Sequence, residues 1–114
     1  MPVQLIFQGK TERSQPSIND NISRAGFHIT HSENHWSTHE TMIEYIDNII
    51  IPYYKQQLAI HNLSDKSQII LILDCWSVHK SEQFRKYIYK HYKFINLIYV
   101  PANCTSELQV ADYV

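Results

Sequence analysis

Two aspartates stand at positions where phosphodiester chemistry could be built. Asp74 directly follows the apolar run QIILIL at residues 68–73, and Asp112 follows a second apolar run and a loop. In open parallel sheets, ligands bind beyond the carboxyl ends of the strands, so both carboxylates could converge there. Carboxylate oxygens hold divalent cations, and a pair of cations activates water and stabilises the leaving oxygen of a phosphodiester.

Each aspartate also has an ordinary structural interpretation. Asp74 could cap the turn at the end of a strand, because an unpaired carboxylate is costly to bury and tends to stay at the surface. Asp112 falls in the first turn of a predicted helix, where the helix macrodipole alone favours an acidic residue. The two residues therefore support a metal site only as a pair.

The segment after Asp74 adds further candidates. His79 lies five residues on, in the same predicted loop, and is either a member of the site or a polar loop residue. The net charge of −1 does not indicate a nucleic-acid binder, but half of the ten basic residues lie between positions 80 and 93. This basic cluster could contact phosphates, or it could be a solvated helix face. Its members are Lys80, Arg85, Lys86, Lys90 and Lys93.

A histidine-rich segment is the alternative metal site. His31, His35 and His39 surround Glu33 at four-residue spacing, which zinc could use. Ser37 with Glu40, however, forms a capping-box pattern that predicts a helix start at Ser37. His35 would then precede the helix, so the spacing does not bring the histidines onto one face. No paired-cysteine motif supports a structural zinc site.

The elements that must position these residues follow from the apolar pattern. Residues 3–8 and 27–30 are predicted strands, and residues 10–26 and 61–67 are polar, turn-like segments. The helix after Ser37 should kink or end at Pro52, which lacks an N–H donor. Its apolar stripe consists of Met42, Ile43, Ile46, Ile49, Ile50 and Tyr53.

Residues 68–100 predict a parallel, right-handed βαβ unit. The runs QIILIL and FINLIYV are nearly continuous in apolar residues, which predicts strands covered on both faces. Ser81 should cap the intervening helix, which extends to about Tyr92 with Phe84, Ile88 and His91 on one face. Pro101 stops the second strand, and a final helix should start at about residue 107.

Size and composition predict one α/β domain over residues 1–114. The two cysteines, Cys75 and Cys104, are too few for a disulfide framework, which favours an intracellular protein. No apolar run is long enough for a membrane helix, and residues 1–13 lack the pattern of a secretion signal.

Four stretches, in order, resemble the DDE superfamily endonuclease domain of pogo, Tigger and jerky-like transposases, in the mariner–pogo group. They are LIFQGKTER at 5–13, FHITHSENHWSTHETM at 27–42, LILDCWSVHKS at 71–81 and VPANCTSELQVAD at 100–112. The resemblance implies a ribonuclease-H-like fold, with Asp74 and Asp112 as the second and third acidic residues of the catalytic triad. It also implies Mg²⁺ or Mn²⁺ as cofactor, DNA as partner and a nuclear location.

The sequence also departs from the pattern of that family. Residues 3–8 resemble the third strand of its antiparallel meander, so the first two strands, with the first acidic residue, are not among these 114 residues. None of Glu12, Asp20 or Glu33 has the strand context to replace that residue. We therefore expect a partial fold without nuclease activity, in which strand 3–8 stays unpaired or pairs with the edge of strand 68–73. Exposed sheet edges would then favour self-association.

Overall fold

A computed structural model describes residues 1–17 and 26–104. The chain divides into two compact units, Met1–Leu63 and Ser64–Val114. Each unit contains a two-stranded parallel sheet and helical segments, so the predicted mixed α/β class is confirmed. Within the described residues, no helix has the length and apolar character needed to cross a membrane.

The sheet of the first unit pairs strand β1, Gln4–Gln8, with strand β2, His28–Ser32. The strands are parallel, with Gln4 opposite His28 and Gln8 opposite Ser32. The expectation that strand 3–8 is unpaired or joins strand 68–73 is therefore wrong. The chain between β1 and β2 is long enough for the crossover that parallel pairing requires. Strand β2 therefore provides the hydrogen-bond partners for the backbone of β1.

A glycine closes β1. The N–H of Gly9 donates to the carbonyl of Ser32 at 2.8 Å, and its φ of 154° lies where side chains are rarely tolerated. A Cβ at this position would lie 1.7 Å from Oγ of Ser14, in the short 3-10 turn Glu12–Ser14. Glycine is required here because the turn folds directly against it.

The helical segment of the first unit begins one residue later than predicted. Helix α1 spans His39–Tyr45 and its N-cap is Thr38, not Ser37. The N–H of Thr41 donates to Oγ1 of Thr38 at 3.3 Å, and the N–H of Thr38 donates to Oγ1 of Thr41 at 2.9 Å. A threonine thus takes the role expected of Glu40 in the capping box.

Of the two predicted outcomes at Pro52, a kink or an end, the end does not occur, because the helical segment continues to Ile60. The chain passes from α1 through a π-helical turn, Ile46–Ile50, into helix α2, Ile51–Ile60. Pro52 lies in the first turn of α2, where a missing N–H is tolerated because hydrogen bonding changes there. The core of this unit is built from Met42, Ile46, Ile49, Ile50, Ile51 and Tyr54.

The second unit contains the predicted βαβ arrangement. Strand β3 spans Ile69–Leu73, helix α3 spans Glu82–His91 and strand β4 spans Ile95–Tyr99. The strands pair in parallel, from Ile69 opposite Ile95 to Leu73 opposite Tyr99. Ser81 caps α3 by accepting a hydrogen bond from the N–H of Phe84 at 3.2 Å, as predicted.

The prediction that both strands are covered on both faces is wrong. Ile70, Ile72 and Ile98 are 64%, 49% and 47% exposed, whereas alternate positions are buried or half-buried. A continuous apolar run predicts a strand but does not indicate how many faces of that strand are covered, because the elements that cover it lie elsewhere in the chain. His91 is also exposed and does not join the buried stripe of α3. The core of this unit consists of Leu73, Phe84, Ile88, Ile95 and Val100.

Candidate functional site

Asp74 is the first residue after β3, at the carboxyl end of the parallel sheet. The ladder ends there, where the N–H of Val100 donates to the carbonyl of Leu73 at 2.8 Å. The Asp74 side chain is 54% exposed, so its carboxylate stands at the sheet edge in contact with solvent. This is the position at which open parallel sheets bind ligands.

One oxygen of the Asp74 carboxylate is engaged by its own loop. Oδ1 accepts hydrogen bonds from Nδ1 of His79 at 2.6 Å and from the N–H of Trp76 at 3.3 Å. A carboxylate only accepts, so Nδ1 carries the proton in this pair, and Nε2 of a neutral imidazole is then an acceptor. The residue predicted from proximity alone, His79, is thus brought into direct contact with Asp74.

The loop that carries His79 is closed by main-chain hydrogen bonds. The N–H of Lys80 donates to the carbonyl of Trp76 at 3.1 Å, and the N–H of Ser81 donates to that of Val78 at 3.2 Å. These bonds form a compact turn directly before α3. The turn is short, so the side chains of residues 74 and 79 face each other across it.

Two further bonds attach the loop to the end of β4. The hydroxyl of Tyr99 donates to the carbonyl of His79 at 2.7 Å, and Sγ of Cys75 donates to the carbonyl of Val100 at 2.8 Å. Burial is the main cause that raises the pKa of the Tyr99 phenol; Arg85 opposes the rise, and Tyr89 and Cys75 add to it. The hydroxyl therefore remains a donor at neutral pH.

Sequence reasoning did not identify Tyr99. Its hydrogen bond ends on a main-chain carbonyl, and no residue type marks such an acceptor. A tyrosine as the last residue of an apolar strand is an available signal, since its hydroxyl requires a partner when the ring is buried.

A divalent cation such as Mg²⁺ requires several hard oxygen ligands. Asp74 offers a hard oxygen ligand, and both of its hydrogen bonds within the described residues end on Oδ1, which leaves Oδ2 available. Asp112, its predicted partner, lies outside the described residues. No group of three or more His, Cys, Asp or Glu residues suited to a metal ion occurs in residues 1–17 and 26–104. Asp74 thus fits such a cation as one ligand of a larger set.

The basic cluster lies mainly on the exposed side of α3. Lys80, Arg85, Lys86 and Lys90 are exposed, opposite the buried Phe84 and Ile88. Nζ of Lys86 is 2.8 Å from Oε1 of Glu82, so its charge is partly compensated. The positive charge of Arg85 opposes the rise in the pKa of the Tyr99 phenol.

The predicted histidine group takes separate partners in the first unit. Nδ1 of His31 is 2.9 Å from Nε2 of Gln15, and the ring of His35 stacks on Trp36 with centroids 5.6 Å apart. His39 is the first residue of α1. The described residues therefore do not assemble these histidines around one point.

The first unit also has a polar cavity of about 380 Å³. It lies between β2 and α1, and its lining includes Gly9, Thr30, Ser32, Glu40, Thr41 and Glu44. Its lining also includes His31 and Glu33 of the histidine-rich segment, beside Glu40 of the predicted capping box.

Comparison with protein families gives one finding: the model of the DDE superfamily endonuclease family matches residues 1–114. Comparison with curated proteins gives no match, and comparison with solved structures gives none.

Proposed function

The chain belongs to the DDE superfamily endonuclease family, whose domains act on DNA, and from this premise we propose that it derives from a transposase of the pogo, Tigger and jerky-like group. Within this proposal, Asp74 is a ligand of the divalent cation used for phosphodiester cleavage. The motifs at 71–81 and 100–112 support the subgroup, because they resemble its pattern around the second and third acidic residues.

The observation that carries the metal role is the position of Asp74. Its half-exposed carboxylate ends a parallel strand and is held through Oδ1 by His79, while Oδ2 stays available. A carboxylate that only capped a turn would need no ordered imidazole at 2.6 Å. Histidine–carboxylate contacts of this kind commonly orient groups that bind metals.

Asp74 and Asp112 are the residues that would hold the ion, Mg²⁺ or Mn²⁺. When bound, such ions supply Lewis acidity to the scissile phosphate and lower the pKa of a bound water. Asp74 contributes negative charge and an oxygen at a fixed place, and His79 keeps that carboxylate from rotating.

We also propose that a polypeptide of these 114 residues does not cleave DNA by itself. The family uses three acidic ligands, and the described acids outside Asp74 lack the required context. Glu12 belongs to the 3-10 turn, and Glu33 is paired with Lys10 at 2.9 Å in an exposed turn. A cation with fewer ligands is held weakly and with poor charge compensation.

Manganese binding tests the role of Asp74. In the Asp74→Asn variant, Oδ1 still accepts from His79, but the charge is lost, so we expect Mn²⁺ affinity to fall about tenfold or more. Water-proton relaxation of purified chain titrated with Mn²⁺ measures it. Asp65→Asn, at an exposed aspartate of the same unit, is the matched control. Equal affinities for the chain and the Asp74 variant would reject the metal role.

Cleavage is tested separately on supercoiled plasmid with Mn²⁺. We expect the unmodified chain to nick no faster than the Asp74→Ala variant. Nicking by the unmodified chain that disappears in this variant would contradict the proposed inactivity and support the metal role.

The second candidate function is a non-catalytic interaction module that binds DNA, favoured by the exposed basic residues of α3. Phosphate contacts make affinity fall steeply with salt concentration. The double substitution Arg85→Glu and Lys86→Glu should weaken DNA binding about tenfold or more at low salt, and Lys66→Glu, in the turn before β3, should not. Binding that does not respond to salt would reject this function.

A further inference from the structure

The hydrogen bond between Asp74 and His79 depends on where the backbone of residue 79 is held. Within the turn, bonds from Lys80 to Trp76 and from Ser81 to Val78 fix its internal shape. They do not attach residue 79 to the sheet. A turn closed only upon itself could move as a body and carry the imidazole away from Oδ1.

Sγ of Cys75 attaches the start of the loop to Val100, and residue 79 itself is attached to the sheet by Tyr99. This residue is the last of β4, opposite Leu73, which directly precedes Asp74. Its hydroxyl donates to the carbonyl of His79 at 2.7 Å. Among the described residues, this is the hydrogen bond that joins residue 79 to a strand. Strand β4 thus fixes two positions. Its pairing with β3 places Asp74, and the hydroxyl of its last residue, Tyr99, holds the backbone of His79.

We propose that Tyr99 is a positioning residue for Asp74: its hydroxyl anchors the His79 backbone, so that the imidazole holds Oδ1 and leaves Oδ2 for a divalent cation. This inference rests on the proposed metal role of Asp74. It adds a residue that acts through His79 and does not touch the ion or DNA.

The geometry separates this role from simple packing. The Tyr99 ring is half-buried, so phenylalanine would retain its packing, whereas only the hydroxyl of tyrosine can donate the hydrogen bond to the His79 carbonyl. Deleting the oxygen alone therefore removes the anchor and leaves the strand and its core neighbours in place.

The first test uses the metal-free chain. Long-range ¹H–¹⁵N NMR of histidine side chains reports which ring nitrogen carries the proton and whether it is hydrogen-bonded. In Tyr99→Phe we expect the Nδ1–H signal of His79 to move toward that of an unbonded imidazole, with the other histidines unchanged. Tyr89→Phe, at a 64% exposed tyrosine of α3, is the matched control and should leave the signal unchanged. An unchanged His79 signal in Tyr99→Phe would overturn the inference.

The second test is a double-mutant cycle on Mn²⁺ affinity. We expect Tyr99→Phe to weaken Mn²⁺ binding about two- to tenfold, the range that one net hydrogen bond implies. In a His79→Ala background, the same substitution should have no further effect, because the anchor then has no imidazole to place. Equal losses in both backgrounds would show a general structural role and overturn the inference.

The two proposals fail in different ways. If Asp74→Asn leaves Mn²⁺ affinity unchanged, the metal role fails, while the metal-free NMR test of the anchor still stands. If Asp74→Asn weakens Mn²⁺ binding but Tyr99→Phe changes neither the His79 signal nor the Mn²⁺ affinity, only the anchor fails.

Should Tyr99→Phe not fold, the Tyr99 hydroxyl proton of the unmodified chain provides the test. It should exchange slowly with water and show a cross-peak to the Lys80 amide, and fast exchange would overturn the anchor.

Discussion

Asp74, His79 and Tyr99 show how one strand end can order three polar groups with two hydrogen bonds. The carboxylate follows from the end of β3 and accepts from the imidazole of His79, whereas the Tyr99 hydroxyl lies near the His79 carbonyl because β4 pairs with β3 in register. The sequence identified Asp74 and His79 because they are five residues apart around one turn. For Tyr99 it offered a tyrosine at the end of an apolar strand but not the partner of the hydroxyl, which is a backbone atom twenty residues away.

Glu40 provides a residue-scale prediction about pH. A backbone hydrogen bond and, next, the Thr38 hydroxyl lower the pKa of its carboxyl below 4.5, against a small opposing effect of burial. Because the folded pKa is lower than the unfolded one, this stabilisation is present above pH 4.5 and is lost as pH falls through the folded value.

We therefore expect Glu40→Gln to be less stable than the unmodified chain at pH 7 and equally stable in acid, below the folded pKa. Urea unfolding at a series of pH values measures this difference. Glu12→Gln, in the exposed 3-10 turn, is the control, and its difference in stability from the unmodified chain should not change with pH. A destabilisation by Glu40→Gln that is the same at every pH would contradict the assignment.

At the scale of elements, local signals predicted the βαβ unit well. The apolar runs, the Ser81 cap and the stop at Pro101 all act within a few residues, and β3, α3 and β4 lie where they indicate. The β1–β2 pair was missed because strand pairing across a long connection leaves no local pattern. The π-helical turn Ile46–Ile50 was also not predicted, because the helical spacing of its apolar residues does not distinguish a π-helical from an α-helical turn.

The N-cap of α3 gives an element-scale prediction. Ser81→Ala deletes the acceptor for the Phe84 N–H and should destabilise the second unit by about 1 kcal/mol. For a unit of this size, that loss lowers Tm by several degrees, as measured by circular dichroism. Ser77→Ala, at an exposed serine of the preceding turn, is the matched control. Equal shifts for the two variants would show that the hydroxyl at residue 81 has no capping role.

At the scale of the whole molecule, one face of the β3–β4 sheet leaves apolar side chains exposed. Ile70, Ile72 and Ile98 expose a contiguous set of aliphatic side chains on alternate positions of neighbouring strands. The sequence predicted these strands but not their exposure, since coverage is a property of the assembled chain. Exposed apolar surface of this kind favours association.

We expect the purified chain to self-associate in a concentration-dependent manner, and Ile72→Lys to raise the midpoint of association several-fold. Sedimentation velocity over a range of concentrations measures it. Ile60→Lys, at a 59% exposed isoleucine of α2, controls for the added charge. A monodisperse monomer at all concentrations would contradict this expectation.

The reactivity of the Cys75 thiol can report whether its hydrogen bond to Val100, at the end of β4, is intact. While Sγ donates to the carbonyl of Val100, the group is protonated and engaged, whereas alkylating reagents react with a free thiolate. Its labelling rate with iodoacetamide would therefore follow local opening between residues 75 and 100. Cys104 of the same chain serves as an internal reference for that rate.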